Sequence, residues 1–161
     1  MKCSVWLVPS APHAPLLRTL LQQFCTAFGS PEFLPHLTVC TGLTRHVHER
    51  FRAVRAAELT SLPLGATFRE LQFGEDYFHG SYLTLDDDSA MRDLQRRLAS
   101  KLEGRAPEKY APHVSLSYGV LNPSQRDEAQ EHLRLPLEVS FSDLELWDTS
   151  GDVPAWHRLQ T

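Results

Sequence analysis

No stretch of this 161-residue chain approaches the roughly 20 consecutive apolar residues of a membrane-spanning helix. The apolar run near the start, in MKCSVWLVPSAPHA, is too short for the core of a secretory signal. Cysteine is scarce. Cys3, Cys25 and Cys40 make an odd count with no CxxC spacing, which argues against a disulfide framework and against a zinc site. A basic surplus is missing as well: 16 Lys and Arg against 20 Asp and Glu leave a formal net charge of -4, whereas a protein that grips long nucleic acid through its phosphates carries positive charge. A pocket for a small anion remains compatible with that balance. Low-complexity sequence is absent too, and with 42% hydrophobic and 22% charged residues the chain reads as one folded domain. Together these absences predict a cytoplasmic protein with no membrane association; a monomer is the expectation, though nothing in the sequence decides it.

What is present is an alternation of strand and helix patterns. CSVWLVP (3–9) reads as a strand; residues 14–28 place Leu17, Leu20, Leu21, Phe24 and Phe28 at helical spacing, with Gly29 as the stop. The strand carrying His36 follows, then a helix from Thr44 to about Leu59 with Val47, Phe51 and Val54 on one face, and a strand over 64–73. The plan then recurs. A strand over 79–85 precedes a helix capped by Asp88 or Ser89, with Met91, Leu94, Leu98 and Leu102 as its buried stripe and Gly104 as its stop. The strand of His113 comes next, then a helix with Asn122 at the N-cap and Pro123 at N1, and an alternating strand over 137–147. Residues 155–160 add a last short strand.

The recurrence is also one of residues. FLPHLTVCTGL (33–43) slides onto YAPHVSLSYGV (110–120) by 77 positions without a gap, so that Pro35 meets Pro112, His36 meets His113, Thr38 meets Ser115 and Gly42 meets Gly119. An internal duplication follows: an α+β fold, one bilobal domain over 1–161, with lobes of about 1–75 and 76–161 that can exchange their terminal segments. Two antiparallel sheets are expected to face each other across a cleft, with helices outside.

On a strand, residues i and i+2 share a face, so His36 with Thr38 and His113 with Ser115 point one way, while Leu37, Val39, Val114 and Leu116 point into the core. A pseudo-twofold brings two imidazoles and two hydroxyls together. Histidine serves as base or acid near neutral pH, and opening a cyclic phosphodiester by in-line attack needs one of each, on opposite sides of phosphorus. Thr38 and Ser115 are placed to hydrogen-bond the non-bridging oxygens. The scheme calls for no metal and no cofactor.

PHLTV and PHVSL resemble the paired His-x-Thr/Ser signature of the two-histidine phosphoesterase superfamily. SVWLVP, FLPHLTV, YAPHVSLSYG and AWHRL are similar, in that order, to its plant and fungal cyclic phosphodiesterase branch. The resemblance implies a bilobal fold and metal-independent opening of a nucleoside 2',3'-cyclic phosphate toward the 2'-phosphate, or of ADP-ribose 1'',2''-cyclic phosphate. It makes His36 and His113 the catalytic pair and Thr38 and Ser115 the phosphate binders, and it places Trp6 and Tyr118 among the aromatic residues of the cleft. The extra cysteines of plant members are missing here.

Trp6 shares strand parity with Ser4, so it is expected to leave the core and offer a flat face to a base. Tyr118 opposes His113 by strict alternation and reaches the cleft only if the strand bends or ends before Gly119. Tyr77 and Phe78 are further candidates for ligand contact, with core packing the favoured reading, and His79, His132 and His157 read as surface residues. His46 and His48 point to different helix faces, against a metal pair. The acidic run Asp86 to Asp88 reads as a solvated helix cap. Two alternatives stand beside the small-nucleotide enzyme: a phosphodiesterase for the 2',3'-cyclic ends of RNA, disfavoured by the net charge, and a nucleotide-binding module without turnover, which has no need of a paired acid and base.

Overall fold

The computed structural model describes residues 2–102 and 111–160. Within them, strands and helices alternate as β1 Cys3–Pro9, α1 Ala14–Phe28, β2 Leu37–Leu43, α2 His48–Glu58, β3 Leu64–Gln72, β4 Ser81–Leu85, α3 Ser89–Leu102, β5 His113–Ser117, α4 Pro123–Glu131, β6 Leu137–Asp148 and β7 His157–Arg158. Local chemistry sets several of these boundaries. α1 ends at Gly29, whose φ of 66° lies in the left-handed region that glycine enters without a Cβ penalty. α4 starts on a capping box: the Asn122 side chain accepts the Gln125 N–H, and the Gln125 side chain accepts the Asn122 N–H.

α2 begins later than the sequence predicts. Residues 45–47 form a tight 3-10 turn, and Thr44 accepts the Val47 N–H with its backbone carbonyl, while no side chain caps the helix. The predicted buried face is nonetheless correct, since Val47, Phe51 and Val54 are all buried. The predicted stop of α3 at Gly104 lies outside the described residues. No helix among them is long and apolar enough to cross a membrane.

The strands join antiparallel in the order β1-β2-β5-β4-β3-β6-β7, and β6 also pairs with β1, so the first six close into a barrel-like ring. Two facing sheets were expected; the structure has one. β6 is the reason. Its 12 residues pair with β3 from Leu137 to Phe141 and with β1 from Phe141 to Asp148, carrying one strand through both halves of the molecule. On the other side of the ring, the join between β2 and β5 is the single residue pair Leu37 and Val114.

Residues opposite one another in a ladder share a face. Val5, Leu7, Leu37, Val39, Leu83, Val114, Leu116, Leu144 and Leu146 occupy one face and are buried beneath the helices. Trp6 lies opposite Thr38 and Glu145, Tyr82 opposite Ser115, and Thr84 opposite His113, so these side chains emerge on the other face. α1 packs on β5 and α3 on β2, so each helix covers the histidine strand of the other half. The apolar alternates therefore anchor the two histidine strands, and the polar alternates are left to line the cleft.

Candidate active site

His36 directly precedes β2 and His113 is the first residue of β5, each after a proline. The His36 Nδ1–H donates to the carbonyl of Leu34 at 2.7 Å, and the His113 Nδ1–H donates to that of Ala111 at 2.9 Å. A carbonyl can only accept, so both rings carry their neutral-state proton on Nδ1 and keep the lone pair on Nε2. The two sites share one device: a bond to the carbonyl two residues back fixes both tautomer and ring plane.

Their environments differ. His36 is 6% exposed. Burial pushes its imidazole down to about 4, against the bond to Leu34, and the charge of His113 lowers it further. His113 is half-buried; burial lowers it too, the Ala111 carbonyl opposes this, His79 adds to the lowering and Asp76 counters it. Thr38 is half-buried and Ser115 is buried, on the same strand faces as the histidines. Gly42, at the irregularity in the β1–β2 ladder, and Gly119, just past the end of β5, have φ of 73° and 91°, so the matched glycines both take a left-handed conformation that a side chain would strain.

Trp6 departs from expectation. It is 2% exposed and offers no free face: His36 stacks on it at 3.6 Å between ring centroids and 8° between planes, and Trp147 stacks at 4.2 Å and 19°. β1 runs between β2 and β6, so a ring from each neighbour closes on the indole from its own side. Parity gives the correct side of the strand. It is silent about Trp147, which reaches Trp6 through the β1–β6 pairing.

Tyr118 follows the bent-strand alternative. β5 ends at Ser117, Gly119 turns the chain, and the Tyr118 ring folds onto Phe33 at 4.2 Å and 18°. Burial pushes that phenol well above its usual range.

Several site residues escape the sequence reading. The 77-residue shift sets Leu83 on Trp6, yet in the ladders Trp6 faces Thr38 and Tyr82 faces Ser115, one residue off, with register irregularities beside both. Tyr82 is thus the partner of Trp6 in the second half, and it meets His113 edge-on at 5.1 Å. His79, expected on the surface, has its ring 5.2 Å from that of His113. Tyr77 and Phe78 are not core residues but 48% and 50% exposed, at 5.9 and 5.5 Å from Tyr118. The turn carrying them is seated on the end of β5: the Gly119 N–H bonds Tyr77 O at 2.7 Å, and a Cβ on Gly80 would collide with the Gly119 and Ser117 carbonyls.

Trp156, from the terminal AWHRL segment, closes this aromatic rim. It stands 6.0 Å from both Trp6 and Tyr118 and 6.1 Å from Phe78. Beside His36 lies a cavity of about 280 Å³ whose walls include Trp6, Phe33, Trp147, Trp156 and Glu32. A larger hollow of about 410 Å³, bounded by Glu70, Gln72 and Gln130 among others, is lined by none of the site residues. Among the described residues no three His, Cys, Asp or Glu side chains form a metal-holding group.

A family model described as cyclic phosphodiesterase-like protein matches residues 1–160. The chain belongs to this family. It is therefore a hydrolase of cyclic phosphodiesters and a member of the two-histidine phosphoesterases. Its relatives include a cyclic phosphodiesterase of Arabidopsis thaliana, 24% identical over 80% of this chain and 71% of the relative. A 2',3'-cyclic-nucleotide 3'-phosphodiesterase of Kluyveromyces lactis is 27% identical, over 76% of this chain and 67% of that one. The fold is also that of a phosphoesterase crystal structure, with a TM-score of 0.56 at 12% identity over 99% of this chain and 95% of the other. Escherichia coli LigT in complex with ATP superposes with a TM-score of 0.55 at 10% identity, over 99% and 95%.

Proposed function

We propose that this cyclic phosphodiesterase opens nucleoside 2',3'-cyclic phosphates to 2'-phosphates, with His36 as general base and His113 as general acid. The observation that carries the assignment is the contrast between two equally oriented imidazoles. His36, pushed down to about 4 by burial, is neutral and serves as the base; burial lowers His113 as well, but it is the more open of the two rings and is assigned the proton. Water gives its proton to His36 Nε2 as its oxygen bonds phosphorus. The P–O3' bond breaks on the opposite side, and the Nε2–H of His113 passes to O3'. The hydroxyls of Thr38 and Ser115 hydrogen-bond the two non-bridging oxygens through the transition state. Cleavage at O3' is supported by the relative named for hydrolysis at the 3' position.

The cavity beside His36 suits the nucleobase. It has room for a purine, its walls are aromatic, and stacking is worth roughly 1–3 kcal/mol per base. Trp156, not the sandwiched Trp6, is the indole with a face to offer, and Trp156→Ala is expected to raise KM about tenfold or more while kcat changes little, in steady-state assays. ADP-ribose 1'',2''-cyclic phosphate suits the same chemistry, because its ring also presents two ester oxygens to an acid and a base. We further read the chain as a duplicated bilobal unit, lobes about 1–75 and 76–161, locked together by β6. The net charge of -4 favours small nucleotides over the ends of long RNA.

The pH profile of kcat/KM tests the role assignment. His36 must be neutral, so the rate rises as pH climbs through about 4; His113 must be protonated, so the rate falls as pH passes its own depressed value, below 6.5. The expected profile is a bell with its maximum on the acid side of 6.5, unchanged by EDTA. A maximum in the alkaline range would reject the assignment.

A further inference from the structure

The Asp76–His79 pair stands beside His113 and has no task in the reaction above. We propose that His79 binds a second phosphate of the substrate, the one on the 5' oxygen, so that the enzyme prefers cyclic phosphates that are also 5'-phosphorylated.

Three features aim this side chain. Asp76 accepts the Phe78 N–H at 3.0 Å and takes His79 Nδ1 between its carboxylate oxygens, at 2.9 and 2.8 Å. The Gly74 N–H fastens the carbonyl of His79 at 2.7 Å, and the Gly119 N–H fastens that of Tyr77 at 2.7 Å. With Nδ1 taken, Nε2 is the nitrogen left for a ligand, and the ring it belongs to lies 5.2 Å from His113 and 5.6 Å from Tyr82. As a stabilising device the pair would be weak, because its side chains are 43% and 65% exposed and such ion pairs contribute little. As an anion site it is well made: the carboxylate on Nδ1 fixes the ring and leaves the Nε2 side to a phosphate oxygen.

The stereochemistry of ribose points to the 5' phosphate. If His113 protonates O3', it lies at the edge of the sugar that continues through C4' to C5'. The base, on C1', then extends the other way, toward the aromatic cavity that Trp6 and Trp147 wall on the His36 side. A phosphate on C5' therefore falls on the side of His113 where His79 stands. This placement rests on the orientation given under Proposed function.

The test compares kcat/KM for adenosine 2',3'-cyclic phosphate and for its 5'-phosphorylated counterpart. A charge-assisted hydrogen bond predicts a preference of about tenfold or more for the second. His79→Gln should bring the ratio close to one, and Asp76→Asn should shrink it; both positions are exposed, and circular dichroism reads their folding. A wild-type ratio near one, or a preference that survives His79→Gln, overturns the proposal. If wild-type protein opens neither compound, the catalytic reading fails while the subsite is still measurable. Tryptophan fluorescence should then report tighter binding of adenosine 2',5'-bisphosphate than of adenosine 2'-phosphate in wild type but not in His79→Gln. Equal affinities in wild type would overturn it.

Discussion

His36→Ala and His113→Ala are each expected to slow the opening of a cyclic nucleotide by about 10²- to 10⁴-fold, with the double variant little worse than either one. The non-additivity follows from the chemistry. Without a base the attacking water keeps its proton; without an acid the O3' leaving group departs as an alkoxide, and an intact partner cannot make good either loss. What survives in both is ground-state binding, so KM should move far less than kcat. The limbs of the pH profile identify the roles: His36→Ala should erase the rise through about 4, and His113→Ala the fall below 6.5. A folded single variant with near wild-type turnover would end the paired-histidine account.

Trp6→Ala should cost both stability and turnover. Truncating a buried tryptophan costs about 3–5 kcal/mol, and here it empties the slot between His36 and Trp147. The expected readout is a large fall in Tm. Catalysis suffers through His36, which loses the plane that holds its ring and gains water. With burial relieved, the acid limb of kcat/KM should move up from about 4 toward the ordinary histidine value of 6.5. If the alanine variant does not fold, Trp6→Phe keeps a smaller ring in the slot and should show the same shift in part. A base-stacking role would appear differently, as a raised KM with kcat and the acid limb unchanged, and that outcome would restore the reading that strand parity suggests.

The difference between those two readings of Trp6 marks what the sequence can carry. Alternation along β1, β2 and β5 is a local property, and it correctly separates Leu37, Val39, Val114 and Leu116 from the face of Thr38 and Ser115. The helix stripes of α1 and α3 and the Asn122 cap are local too, and they stand where the pattern puts them. What a residue touches across strands depends on pairing. β6 reaches both β1 and β3, which turns two expected sheets into one closed ring and lays Trp147 against Trp6. A one-residue register slip makes Tyr82, rather than Leu83, the partner of Ser115. An ungapped alignment of the two halves cannot register such a slip.

His79 and Trp156 were hidden for a related reason. Neither lies in a repeated motif, and each reaches the site from a short turn next to a strand end. The available signals were indirect: an Asp three residues before His79, with Gly74 and Gly80 on either side, and an aromatic at the head of AWHRL. Turn chemistry predicts a tight, capped segment at 76–80. It gives no indication of which strand the segment leans on.

Phosphorus NMR of adenosine 2',3'-cyclic phosphate incubated with the wild-type protein in EDTA, beside the His36→Ala and His113→Ala variants, tests the central claim most directly. The account predicts that the cyclic phosphate signal gives way to that of adenosine 2'-phosphate in the wild-type sample and persists in both variants. A signal of adenosine 3'-phosphate would reverse the orientation of the sugar between the histidines, and a cyclic phosphate left intact by the wild-type enzyme would contradict the account itself.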